Sequence, residues 1–258
     1  MRPLAESIQA PDWQSVSLLG IDVGFSRTAK STGIAVYDRG RLRTLTCVGS
    51  SMQDRADILR DHPRFDAIAI DGPIVFGADQ PPAARTCEAV LSRGAFNRRC
   101  KPGLSHVGFG LPLRQAATAI AADMQTRVKS AGRIVEAFPN AFLGVLLGDD
   151  DFAALGPIRR GNKSDAYYAR LAAHKGFDPI LDLLGWRDDA LRATIHDVAT
   201  DGSRAAHDQR AALVCLLTAA CALSGAADYV GDEAGGFICL PPKGLWAPWA
   251  RAALPPSP

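Results

Sequence analysis

The sequence predicts a mixed α/β fold: a sheet that starts with three antiparallel strands, continues with parallel ones, and is flanked by helices. Three observations carry this. Short apolar runs of strand length recur at residues 16–21, 33–37, 42–48, 65–70 and 133–138. The polar turn Arg39-Gly40-Arg41 between the second and third is short enough to dictate an antiparallel hairpin. Stretches of helical periodicity separate the later runs, which favours parallel pairing.

In chain order, residues 1–14 read as a loose arm, and 15–245 as one domain. The first strand, 16–21, is a continuous apolar run that ends at Asp22, followed by Gly24 and a polar loop. The second, 33–37, stops at Asp38, and 42–48 completes the hairpin. Residues 51–61 form a short amphipathic helix capped by Ser50 or Ser51 and ended by His62-Pro63. Strand 65–70 runs into Asp71-Gly72-Pro73, repeating the pattern at Asp22. A helix over 83–91 leads to a basic loop, 93–101. A helix over 114–130 shows one apolar face, made by Ala117, Ile120, Ala121, Met124 and Val128. Strand 133–138 carries Glu136, and Pro139 stops it. Residues 140–199 form a mainly helical elaboration. The long apolar helix 207–223 holds Asp208 in its first turn, where a carboxylate also suits the helix dipole. Residues 237–240 give the last strand, and 246–258 an irregular tail, with 255–258 disordered.

The 258 residues suffice for one large core, and a net charge of +2 does not demand a polyanionic partner. Nucleic-acid contact would rest on a local basic patch. None of the six cysteines forms a CxxC pair, which argues against structural zinc. The N-terminus lacks the apolar segment of a signal peptide, and the longest apolar run, 211–223, is too short to span a bilayer. A reducing, cytoplasmic location without membrane association is expected; a homodimer is left open.

Four acids stand out by position. Asp22, Asp71 and Glu136 lie in or at the end of apolar strands, and Asp208 opens an apolar helix. Parallel neighbours would bring their C-terminal ends to one edge of the sheet, where α/β proteins place their sites. Carboxylates gathered there repel unless cations are bound or protons shared. Magnesium or manganese would suit such oxygen ligands, and two ions would clamp a phosphodiester. Glu136 has a plainer alternative, neutralisation by Arg133 or Arg114. Arg98, Arg99, Lys101, Lys163, Arg27 and Lys30 are candidates for gripping substrate phosphates, with Phe96 and Phe109 near the first three. His207 is a candidate proton shuttle.

The order of three strands, helix, strand, helix, strand and C-terminal helix resembles the ribonuclease H-like fold. GIDVG with TGIAVYD, AIAIDGP, the RRC segment, VEAFPNAF, NKSDAYYARL and HDQRAALVCLLTA together resemble the domain of unknown function 429 family, described as predicted nucleases with that fold. The resemblance spans about residues 18–241. It implies metal-dependent hydrolysis of nucleic-acid phosphodiesters, with Asp22, Asp71, Glu136 and Asp208 on the acidic positions. One position departs: related resolvases carry a second acid one turn after the helix aspartate, where this chain has Ala211. Catalysis is then either slow or completed by Glu136. Two other readings stand beside this one. GIDVGFSRTAKSTG also resembles the phosphate loop of actin-like and sugar-kinase-like nucleotide binders, which usually need two copies of the core. A catalytically inactive binding module of the same fold would tolerate Ala211.

Overall fold

The computed structural model describes residues 11–25, 31–75, 84–158 and 163–254. Its centre is a seven-stranded mixed sheet. The strands are β1 (Ser17–Asp22), β2 (Ser31–Asp38), β3 (Arg41–Gly49), β4 (Phe65–Asp71), β5 (Val128–Ala137), β6 (Asp228–Asp232) and β7 (Gly236–Leu240), in the spatial order β3-β2-β1-β4-β5-β7-β6. The first three pair antiparallel; β1–β4, β4–β5 and β5–β7 are parallel; β6–β7 is an antiparallel hairpin at the far edge. This is the ribonuclease H-like mixed sheet that the sequence predicts.

The helices are α1 (Met52–Ile58), α2 (Thr86–Leu91), α3 (Gly94–Arg99), α4 (Gly110–Met124), α5 (Pro139–Leu146), α6 (Asp149–Ala154), α7 (Lys163–Ala173), α8 (Asp178–Leu183), α9 (Asp189–Thr200), α10 (Arg204–Leu223) and α11 (Pro248–Ala253). The strands β1 and β4 are apolar on both faces because helices cover both faces. On one side Leu19, Ile21, Ile34, Val36, Ile68 and Ile70 pack under α4. On the other side the sheet presents smaller groups, among them Ala35, Ala67, Ala69 and Ala137, to the long helix α10.

Those small residues set how close α10 comes. A Cβ on Gly20 would lie 2.3 Å from the Ala212 carbonyl oxygen and 2.4 Å from the Leu216 nitrogen. One on Gly33 would lie 2.1 Å from the Asp208 carbonyl oxygen. Helix backbone therefore rests on strand backbone at β1 and β2, which only glycine permits. Nearly every α10 residue from Ala211 to Ala222 is buried, so it is the central helix of the domain.

Several boundaries differ from the sequence reading, each for a local reason. Helix α1 ends at Ile58, and Ser51 rather than Ser50 caps it, in a reciprocal capping box with Asp54. The basic segment is helical, as α3, and not a loop. The expected helix 114–130 is shifted: α4 begins at Gly110, ends at Met124, and passes through a 3-10 turn into β5, which already starts at Val128. Helix α10 begins three residues before His207 because Ser203 caps it, accepting from the Ala206 N–H at 3.1 Å. Asp208 thus lies in the second turn, beyond the strongest field of the helix dipole. Strand β6 lacks a continuous apolar run and is missing from the sequence reading. The segment after 246 is not irregular: α11 docks on α3, Trp246 is buried, and Trp249 Nε1 donates to the Leu147 carbonyl at 2.8 Å. The end of the arm is anchored too, by Trp13 edge-on to Tyr37 and Trp186. Residues 1–10 and 255–258 lie outside the described residues.

Gly20→Ala should lower stability by about 1–3 kcal/mol or more, as overpacking does when only backbone can yield. Gly202→Ala, whose Cβ meets nothing within 4 Å, is the control and should leave the urea midpoint unchanged.

Candidate functional site

Register builds the site. In one row across the sheet, Cys47 pairs with Gly33, Gly33 with Asp22, Asp22 with Asp71, and Asp71 with Ala137. Paired residues share a face, and this row faces α10. Asp22 and Asp71 are therefore direct neighbours at the C-terminal ends of two parallel strands. Because Gly33 lets α10 touch β2, Asp208 arrives beside them. Asp22, Asp71, Asp208 and His207 line one cleft of about 190 Å³, together with Ser31, Leu113 and Arg204.

The electrostatics of the cleft follow from that crowding. Burial, then the charges of Asp71 and Asp208, push Asp22 well above the ordinary carboxylate range. Burial, with the Glu136 charge, pushes Asp71 up to about 7, and its hydrogen bond with Asp22 works the other way. Two adjacent aspartates that hydrogen-bond each other share a proton. Asp208 is held from β2 and β3: the Ser31 hydroxyl donates to its Oδ2, and so does the Cys47 thiol, at 3.2 Å. Burial and this Asp208 contact push the Cys47 thiol up to about 11, so it stays a donor.

His207 sits at the rim with its Nδ1 2.9 and 3.0 Å from the two Asp165 oxygens. That contact, ahead of the charges of Asp22 and Asp208, raises its pKa. Asp165 is fixed in turn by Arg210, whose Nε donates at 2.9 Å while its Nη1 donates to the Val198 and Asp201 carbonyls, each at 2.6 Å. With Nδ1 engaged by Asp165, Nε2 is the ring nitrogen left to the cleft.

No family model, curated protein or solved structure matches this chain. The site is therefore read from its geometry.

Glu136 does not join the aspartates. It pairs with Ile70, one residue out of step with Asp71, so strand alternation turns it to the opposite face of the sheet. There neither Arg133 nor Arg114 neutralises it. Arg133 reaches the Ala222 carbonyl instead. The partner is Arg85, whose Nη1 and Nη2 donate to Oε1 and Oε2 at 2.9 and 2.6 Å, while the Ile74 N–H donates to Oε2 at 2.9 Å. Burial pushes Glu136 up and Arg85 pulls it back; the same bidentate contact carries Arg85 above its ordinary pKa. Both carboxylate oxygens are committed, so Glu136 is a structural ion pair and not the replacement for the acid absent at Ala211.

The basic residues are also redistributed. Arg99 is buried, bonded to Asp149 and stacked 4.3 Å from the Phe152 ring and 4.4 Å from that of Trp249. It pins α3 to α6 and α11 and cannot grip a phosphate. Lys163 donates to the Arg98 carbonyl at 2.7 Å, tying α7 to α3. Arg98 is exposed over the Phe152 ring, and Lys101 is exposed at the end of the same segment. Arg27 and Lys30 lie outside the described residues. The residues that pattern alone did not single out are Ser31, Cys47, Asp165 and Arg204. Only Asp165 carried a signal, an acid in the first turn of a predicted helix.

The three aspartates suit a hard divalent cation in kind: all donors are oxygen, and their charge is in excess. Among the described residues no group of three or more His, Cys, Asp or Glu side chains is placed so that it could hold a metal ion as it stands. The fit of the three aspartates to a cation is one of donor type and charge.

Stability should depend on pH through the aspartate pair. Asp71 has a folded pKa above its unfolded value, so its contribution is fully present below pH 3.8 and is lost as pH rises through about 7. Asp71→Asn should flatten that part of the curve measured by urea denaturation without divalent ions. Manganese should restore stability above neutrality in the wild type and not in the variant. By contrast, Arg85→Leu should cost about 3–5 kcal/mol by leaving the Glu136 charge buried without its ion-pair partner. If Glu136→Gln removed the manganese effect, Glu136 would be a ligand after all.

Proposed function

We infer that the protein is a metal-dependent nuclease, hydrolysing phosphodiester bonds of nucleic acid at the cleft between β1, β4 and α10. The observation that carries this reading is the paired register of Asp22 and Asp71 with Asp208 brought against them. Among the described residues, Glu136 and Asp165 are each met by an arginine, whereas Asp22 and Asp71 hydrogen-bond each other.

Asp22, Asp71 and Asp208 would hold magnesium or manganese. The bound ions would supply Lewis acidity for water attack and for the leaving oxygen. The chain's own residues do the rest. Ser31 and Cys47 fix the Asp208 carboxylate, Gly33 sets its depth, and β1 and β4 hold the other two on rigid strand ends. His207, oriented by Asp165, is placed to move a proton at the rim through Nε2. The motifs of the resemblance support the reading: GIDVG ends β1, AIAIDGP ends β4, and HDQRAALVCLLTA lies in α10. The membership in the domain of unknown function 429 family is part of this proposal.

The test is cleavage of single-stranded, duplex, hybrid and branched substrates with magnesium or manganese. Cleavage should need the metal, and Asp22→Asn should abolish it with the fold intact by circular dichroism. Persistent cleavage by the purified variant would sink the assignment. Absence of both cleavage and any manganese-induced shift in melting would favour an inactive binding module, consistent with Ala211. Stabilisation by ATP with magnesium but by no oligonucleotide would favour the nucleotide-binder reading.

A further inference from the structure

On the other side of Asp71 a second cavity, about 150 Å³ in volume, opens between β4, α2 and the segment before α4. Asp71 and Leu113 belong to the walls of both this cavity and the carboxylate cleft. Its polar walls are buried: Arg85 is 1% exposed, Glu88 2% and Ser105 1%.

The hydrogen-bond balance here is uneven. Arg85 is the one cation among the described lining residues, and three acids, Asp71, Glu88 and Glu136, share the walls with it. Its guanidinium is largely spent on Glu136 and the Gly235 carbonyl, and approaches Glu88 only to 3.5 Å. Glu88 accepts from the Ser105 N–H at 3.2 and 3.3 Å, which leaves each oxygen with further accepting capacity. The Ser105 hydroxyl is buried and has no hydrogen-bond partner among the described residues. A buried hydroxyl without a partner is costly, and the cavity beside it is the space from which a partner can come.

Size and chemistry narrow the occupant. A cavity of about 150 Å³ admits one six-membered aromatic ring. Leu113, with Phe138, offers apolar surface to its faces. The acceptor-rich walls require a ring that brings donors. Among nucleobases of that size, cytosine presents an exocyclic amine, a group that glutamate accepts from; uracil presents a carbonyl oxygen there, which would face a carboxylate. We propose that this cavity is a base-binding subsite for cytosine, read by Glu88 and the Ser105 hydroxyl. A nucleotide held there has its sugar and phosphate at Asp71, so the subsite would select the nucleotide beside the bond that is cut. This step, and only this step, rests on the nuclease reading of the cleft.

The experiment is titration of the full chain with cytidine and with uridine, followed by protein-observed NMR without divalent ions. Cytidine should bind about tenfold tighter than uridine. Ser105→Ala should weaken cytidine binding several-fold while leaving the melting temperature equal or higher, since it removes an unpartnered hydroxyl. Glu88→Gln should erase the preference for cytidine. Asp22→Asn should bind cytidine as the wild type does. No cytidine binding at millimolar concentrations, equal binding of the two nucleosides, or undiminished binding by both Ser105→Ala and Glu88→Gln would overturn the subsite and show a cavity filled by water only. The nucleosides carry no phosphate, so the two readings fail separately. Cytidine binding without cleavage keeps the subsite and removes the nuclease; cleavage without cytidine binding does the reverse.

Discussion

Everything in the cleft depends on how near α10 lies to the sheet. Ordinary helix-on-sheet packing keeps backbones apart by a layer of interleaved side chains. At Gly20 and Gly33 that layer is missing, and the helix backbone rests on β1 and β2. The alanines of β2, β4 and β5 on the same face extend the thin layer. The other face carries isoleucine and valine under α4. The sheet therefore has a close side and a full side. Asp208 reaches Asp22 because it belongs to the close side, and a short side chain suffices to span the gap.

Strand alternation then sorts the acids. Two carboxylates in register, Asp22 and Asp71, share the close side and repel. Glu136, one residue out of step, goes to the full side with an arginine to receive it. The two faces treat buried charge differently. On the full side the compensation is internal, through Arg85, which also serves Glu88. On the close side Asp22 and Asp71 hydrogen-bond each other, and among the described residues the His207 charge opposes the rise at Asp22. Burial and neighbouring carboxylate charges raise both acids, the kind of perturbation that marks a candidate site, and the proposed function rests on it.

How much of this was legible beforehand follows from what each feature depends on. The mixed character of the sheet, antiparallel then parallel, was readable because apolar runs and a short polar turn are local signals, whereas β6, without an apolar run, was not. Asp22 and Asp71 were readable because a charge at the end of an apolar strand is conspicuous in one dimension. The misplacement of Glu136 has a different origin: its face depends on register against β4, and the irregular pairing between Phe65 and Ala67 shifts that register in a way no single strand encodes. Arg99 looked like part of a solvated basic loop, since its partners Asp149, Phe152 and Trp249 are about 50 residues away or more. Cys47 was illegible as a site residue for the same reason, and Asp165 showed only its place at a helix start. Each gains its meaning from a neighbour brought by tertiary packing, and each looks ordinary where it stands in the chain.

The division of labour between the faces also explains why a polar cavity can persist next to the cleft. Asp71 ends β4 where the strand gives way to Gly72, whose φ of +151° turns the backbone away from the sheet. A Cβ at that position would lie 2.7 Å from the Ala117 methyl group, so α4 closes tightly over the turn. Asp71 and Leu113 belong to the walls of the spaces on both sides of this turn. Two chambers of unlike character thus meet at one carboxylate. One is crowded with acids from the close side; the other is lined by the arginine–glutamate network of the full side. Without a cation the three aspartates of the first chamber would repel a phosphate. If that chamber holds a divalent ion, as proposed, it becomes a seat for an anionic group, while the acceptor-rich second chamber keeps its own demand for a donor-bearing ring.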